Sequence, residues 1–156
     1  LSNGPVLVYY TSMETHKEKK GEIRVSHDIR VRYAETDSMR VVHHTNYFTW
    51  MEAARTELMR NAGLTYRELE KRGFYLPVRE ASCKYRKPIR YDDVVTVEAR
   101  LEELGGASIR IGYTIFEKTT EKKIVAEGYT LHAFTDESGG VVRVPDFFRS
   151  LFAPRE

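Results

Sequence analysis

The run TNYFTWMEAARTELMRNAG, residues 45–63, decides the fold. Tyr47, Trp50, Met51, Ala54 and Leu58 recur at the spacing of one helical face, Thr49, Glu52, Thr56 and Arg60 fall mostly elsewhere, and Gly63 suits the left-handed residue that closes a helix. Thr45 or Asn46 would supply the N-cap. A face carrying both Tyr47 and Trp50 is wide enough to lie against a whole sheet rather than against one neighbouring helix. The flanking sequence provides that sheet. Upstream, Ile29, Val31 and Tyr33 alternate with Asp28, Arg30 and Arg32, which predicts a half-buried strand over 27–33 followed by a polar turn over 34–40. Downstream, Thr65 and Glu68 have capping-box spacing and open a short second helix that stops near Gly73.

From 74 to about 135 the chain reads as long strands in a meander. Val95, Val97, Ala99 and Leu101 alternate with polar residues; after Gly105-Gly106, which has the look of a hairpin turn, Ile109, Ile111, Tyr113 and Ile115 do the same. A third strand returns over 124–134, and Pro145 is placed to start a last helical turn. The expected class is therefore α+β, a curved antiparallel sheet wrapped around one long central helix, as a single domain over 23–156 behind a leader over 1–22. Such a sheet exposes edge strands, and pairing copies edge to edge is the ordinary way to cover them, so a homo-oligomer of at least two chains is expected.

Composition narrows the function. A chain of 156 residues, 41% hydrophobic and 31% charged, is large enough to bury a real core. Its 25 basic and 23 acidic residues balance too evenly for nucleic-acid binding as a main task. Cys83 alone forms no disulfide framework and fits a reducing, cytoplasmic setting. The apolar run Val6–Tyr10 falls far below the roughly 20 residues that cross a bilayer, so no membrane insertion is expected.

Chemistry concentrates between the first strand and the long helix, where Glu35, Asp37, His43, His44 and Asn46 crowd into about a dozen positions. The helix start offers unpaired N–H groups to a developing oxyanion, and a nearby carboxylate supplies a nucleophile or general base. Against this stand plainer readings: Glu35 and Asp37 as turn residues capping local amides, each histidine as a structural one, and Glu52–Arg55 as an i, i+3 ion pair. No ligand spacing supports a metal at His27, Asp37 and His43 or His44, and neither a nucleophile elbow nor a nucleotide-binding glycine fingerprint is present. Lys84, Arg86, Lys87 and Arg90, interleaved with Tyr85 and Tyr91, would grip phosphates or simply solvate a strand end.

The stretch from Tyr33-Ala34-Glu35-Thr36-Asp37 through His43-His44-Thr45-Asn46-Tyr47 to Trp50-Met51-Glu52 resembles the signature of the hotdog-fold acyl-CoA thioesterases, in the 4-hydroxybenzoyl-CoA thioesterase branch that includes the YbgC-type enzymes. The resemblance extends from about Ser26 to Phe152. It implies a catalytic carboxylate at Asp37, a carbonyl-polarising N–H at the helix entry on His43 or His44, and a turn held in shape by Asn46 and Tyr47. It further implies an acyl-CoA substrate, no metal or other cofactor, and a dimer or a tetramer of paired dimers. Arg40 departs from the family's glycine three residues after the aspartate. The Gly105-Gly106-Ala107 turn lacks the basic residues that hold CoA phosphates in hydroxybenzoyl-specific enzymes, which leaves Arg86, Lys87 and Arg90 as candidates. Two other readings stay open: a hotdog hydratase or dehydratase working through His43, and a non-catalytic module that binds acyl thioesters or a protein.

Overall fold

Residues 22–153 are described by a computed structural model; apart from Glu22, the leader assigned to 1–22 lies outside the described residues. Five strands, β1 (Arg24–Arg30), β2 (Val78–Tyr85), β3 (Val94–Leu104), β4 (Ser108–Glu117) and β5 (Ile124–Ala133), form one sheet in the order β1-β3-β4-β5-β2. All neighbours are antiparallel. Helix α1 (Thr45–Ala62) crosses the sheet's inner face, α2 (Tyr66–Lys71) follows it, and α3 (Asp146–Leu151) ends the fold. Among the described residues no helix is long and apolar enough to cross a membrane.

Helix α1 forms as its periodicity requires. Tyr47, Trp50, Met51, Ala54 and Leu58 are buried, and Gly63 closes the helix at φ 100°. They meet Val95, Val97, Ala99, Ile109, Ile111 and Ile115 from β3 and β4, the alternating positions that the strand pattern turned inward. Each large aliphatic side chain so buried contributes about 1.5–3 kcal/mol. The helix sits close to the sheet: a Cβ on Gly128 would lie 2.2 Å from the Ser82 carbonyl oxygen and 2.8 Å from the Met51 methyl carbon, so only glycine lets β5, β2 and α1 converge there. In α2 the capping box is complete, with the Glu68 N–H on Thr65 Oγ1 (3.2 Å) and the Thr65 N–H on Glu68 Oε2 (2.8 Å).

Four details differ from the sequence reading. The first strand spans Arg24–Arg30 rather than 27–33, and Tyr33, expected on its buried face, is 77% exposed in a short 3-10 turn over Tyr33–Glu35. The strand ends because the Val31 N–H leaves for the Asp93 carbonyl (2.9 Å) and the Glu35 carboxylate takes the Arg32 N–H (2.8 Å). The residue flanking α1 is His44, in helical geometry and without a side-chain cap, rather than Thr45 or Asn46. Pro145 flanks α3 instead of occupying its first position. Finally, β3, β4 and β5 do form a meander, but β2 leaves it to pair with β5 at the far edge.

Candidate active site

The connection from β1 to α1 is organised by Glu35, which the sequence offered as a turn residue and the structure buries. Its Oε2 accepts the Arg32 N–H, and its Oε1 accepts the Trp50 indole N–H at 3.1 Å and an Arg32 guanidinium N–H at 3.3 Å. Its backbone carbonyl receives the His43 N–H and the Asn46 side-chain amide, both at 2.9 Å. One residue thus fastens the loop to the core through Trp50 and to the helix start through Asn46. Tyr47 is buried against Trp50 (5.1 Å between centroids) and edge-on to Tyr85 (4.8 Å), and burial pushes its phenol up to about 12. The Tyr85 hydroxyl then donates to the His44 carbonyl at 2.9 Å, bracing the helix entry from the end of β2. Glu35→Ala leaves a buried indole N–H without an acceptor, and a loss of about 1–3 kcal/mol is expected, read as a fall of several degrees in Tm.

Beyond Glu35 the chain makes a closed loop. Thr36 bridges Val42, the Asp37 N–H donates to the Val41 carbonyl (3.0 Å), and the Arg40 N–H donates back to the Asp37 carbonyl (2.9 Å). Asp37 Oδ1 accepts the Met39 N–H at 2.8 Å, while Oδ2 has no protein partner among the described residues. Arg40 stands at φ 62°, in the left-handed region where glycine is unstrained, which is the position at which the resembled family has glycine. The strain is about 1–2 kcal/mol, partly offset by the greater chain entropy of glycine. Arg40→Gly is therefore expected to raise Tm by about 1–4 °C in thermal unfolding, and an unchanged or lower Tm would contradict this account.

At the helix entry the His44 N–H has no acceptor among the described residues. His43 Nδ1 lies 2.7 Å from Thr45 Oγ1, and the two histidine rings tilt against each other at 4.3 Å. His27, in the middle of β1, does not join Asp37 and these histidines, and no group of three ligating side chains forms among the described residues. Cys83 lies on β2, half-buried, and burial raises its thiol pKa.

The basic candidates part company. Arg86 donates to Glu127 (2.6 Å) and Lys87 to Glu117 (2.6 Å), so both charges are matched on the sheet. Among the described residues Arg90 has no carboxylate on its guanidinium; its backbone is held by Asp93, whose Oδ2 accepts the Arg90 N–H at 2.9 Å and whose N–H donates to the Arg90 carbonyl at 3.2 Å.

Arg55 does not pair with Glu52 as expected. Its Nε donates to the Tyr66 hydroxyl (3.0 Å) and its Nη1 to the Tyr113 hydroxyl (3.3 Å), at the head of a network the sequence reading missed. Tyr113 Oη lies 2.8 Å from Thr130 Oγ1, which lies 2.8 Å from His132 Nε2, and His132 Nδ1 is 3.0 Å from the Leu76 carbonyl. Both ends fix the direction. A carbonyl only accepts, so Nδ1 carries the proton and Nε2 accepts from Thr130; Arg55 only donates, so Tyr113 passes its own proton to Thr130. Burial holds the His132 imidazole well down, to about 4, and the nearby Arg55 charge adds to this. The inward register of Tyr113 was visible in the β4 alternation; that of His132 needed the β4–β5 pairing. An open cleft of about 620 Å³ adjoins this network at Tyr66 and Leu76, and Asp37, His43 and His44 do not line it.

Comparison with known proteins places these features in a family. YneP of Bacillus subtilis, provisionally named an acyl-CoA thioesterase, is 39% identical over 99 residues, covering 64% of this chain and 72% of YneP. The acyl-CoA thioesterase YbgC of Haemophilus influenzae is 32% identical over 95 residues, 60% of this chain and 70% of YbgC. The crystal structure of DHNA-CoA thioesterase from Staphylococcus aureus superposes with a TM-score of 0.75 at 30% identity, covering 81% of this chain and 85% of that one. The thioesterase-like superfamily matches residues 31–152, from the end of β1 through α3, and with its five-stranded sheet around one central helix the chain belongs to that family and has the hotdog fold.

Proposed function

We propose that this protein hydrolyses an acyl-CoA thioester to a free carboxylic acid and CoA, with Asp37 as the reactive carboxylate. The observation that carries the reading is the pairing of an open carboxylate oxygen with an open helix entry. Asp37 Oδ2 is unengaged, Oδ1 is steadied by Met39, and the loop bearing both is tied through Glu35 to the helix whose first N–H group, on His44, lacks an acceptor. In this reading Asp37 attacks the thioester carbonyl carbon or takes a proton from the water that does. The negative charge reaching the carbonyl oxygen is met by the His44 N–H and the positive end of α1. The C–S bond then breaks and the sulfur leaves as the CoA thiol; in the general-base route the acyl carbon keeps the hydroxyl of the attacking water, and in the nucleophile route the acyl group passes first to Asp37 as a mixed anhydride that water then splits to the free acid and the carboxylate. No metal or other cofactor is required.

Asp37 is half-buried and does not line the cleft, and β1 and β2 each have a free outer edge among the described residues. A second copy joined at such an edge would wall the acyl site, so the active form in this proposal is a dimer or a tetramer of dimers.

The test is thiol release from short, long and aromatic acyl-CoAs. Release from one class establishes the activity and begins to name the acyl group. Saturable acyl-CoA binding with no release by the folded oligomer would instead mark a binding module.

A further inference from the structure

With Arg86 and Lys87 matched by glutamates, the unmatched positive charge near Asp37 belongs to other arginines. Neither Arg40 nor Arg90 has a carboxylate partner among the described residues, and the Val42 N–H donates to the Ile89 carbonyl at 2.8 Å, which sets the two arginines within two residues of one hydrogen bond. The same two loops are pinned again where the Asp92 N–H reaches the Val31 carbonyl (3.1 Å). There they present Tyr33 and Tyr91, edge to face at 5.7 Å. Tyr33 and Met39 are each 77% exposed and Tyr91 57%, an apolar surface that water disfavours unless something covers it. Of the acids of these loops, Asp92 pairs with Arg30 (3.2 Å), Asp93 caps the Arg90 amide and Glu35 is buried, which leaves Asp37, with its one open oxygen, as the acid of the adjoining reaction site.

Exposed rings on two joined loops that also carry unpaired guanidinium groups fit a flat heteroaromatic ring that carries phosphates. We propose that this face binds the nucleotide end of CoA, with the adenine on Tyr33 and Tyr91 and the phosphates on Arg40 and Arg90. The proposal rests on the acyl-CoA reading above and adds a recognition element that an acyl-pantetheine would not use.

The test titrates the full chain with adenosine 3′,5′-bisphosphate and compares KM for an acyl-CoA and the matching acyl-pantetheine. Tyr33 and Tyr91 are exposed, so replacing both by serine leaves the core untouched. The double variant is expected to bind the bisphosphate about tenfold more weakly and to raise KM for acyl-CoA by a similar factor, with KM for acyl-pantetheine unmoved. Arg40→Gly, which relieves backbone strain, is expected to weaken bisphosphate binding while raising Tm, a combination that damage to the fold does not produce. Bisphosphate binding that is absent from the wild type, or equal in wild type and variants, overturns the proposal. So does an equal KM rise on both thioesters, or a changed oligomeric state with binding intact, which would make the face an interface between copies. If no thioester is cleaved, the thioesterase reading falls, and the bisphosphate titration still decides the platform.

Discussion

Asp37→Asn is expected to lower turnover of acyl-CoA at least about a hundredfold while leaving the fold intact. The substitution is nearly isosteric, and the asparagine carbonyl oxygen still accepts the Met39 N–H that Oδ1 now receives at 2.8 Å. The Thr36–Val42 bridge and the backbone bonds of the loop do not involve the side chain. What is lost is the negative charge at Oδ2, and with it both candidate roles, nucleophile and general base. Thiol release at saturating acyl-CoA, measured beside the circular dichroism and Tm of the same protein, checks this. A folded variant as fast as the wild type would remove Asp37 from the chemistry and direct attention to His43, the group a hydratase or dehydratase would need.

The second large effect concerns acid stability. His132 titrates near 4 in the folded protein against an ordinary value of 6.5. The folded state therefore resists a proton that the unfolded chain accepts, and the sign follows directly. Above pH 6.5 both states are neutral at this residue, and its contribution is whole. Between 6.5 and 4 stability drains away by about 1.4 kcal/mol per pH unit, reaching about 3 kcal/mol below pH 4. The chain of hydrogen bonds gives this a structural cause. A protonated His132 donates at both nitrogens, so Thr130 must accept from it as well as from Tyr113, and the Thr130 hydroxyl proton then loses the acceptor it had in the chain. Urea unfolding at a series of pH values should show the wild type losing this increment and His132→Gln, neutral throughout, lacking it. Equal slopes for the two proteins between pH 6.5 and 4 would refute the assignment.

The parts of this molecule that were legible in its sequence are those set by local pattern. The apolar face of α1, its glycine terminator, the Thr65–Glu68 capping box and the Gly105-Gly106 hairpin depend on residues within a few positions of one another. So does the crowding of acidic, histidine and asparagine residues ahead of α1, where Asn46 ties the helix start to the Glu35 carbonyl. Long-range partnership hid the rest. Tyr33 continues the alternation of the first strand, and the chain turns outward before it because the Val31 N–H goes to Asp93, 62 positions on, and the Arg32 N–H goes to a Glu35 carboxylate that Trp50, fifteen positions further, holds. Arg55 has Glu52 at a suitable spacing yet reaches Tyr113, 58 residues on, because the guanidinium points under the helix toward the sheet. Nothing local in Val78–Tyr85 says that its neighbour is β5 rather than β3. Arg40 was noticed as a departure from glycine; its left-handed backbone shows what that departure costs.

The strand order β1-β3-β4-β5-β2 also sets a timetable for a chain made from its N-terminus. Of the five strands of this sheet, the two made first are those that finish at opposite edges, and each waits for a partner not yet synthesised: β1 for β3, and β2 for β5. Until Val125 and Ala126 appear, the Trp50 face of α1 has only part of its floor, and the loop bearing Asp37 gains its Ile89 and Asp93 anchors only when residues 89–93 arrive. The nascent chain therefore carries an amphipathic helix with β1 unpaired until β3 is made, and then β2 unpaired until β5 is made, states in which chaperone capture or mispairing competes with folding.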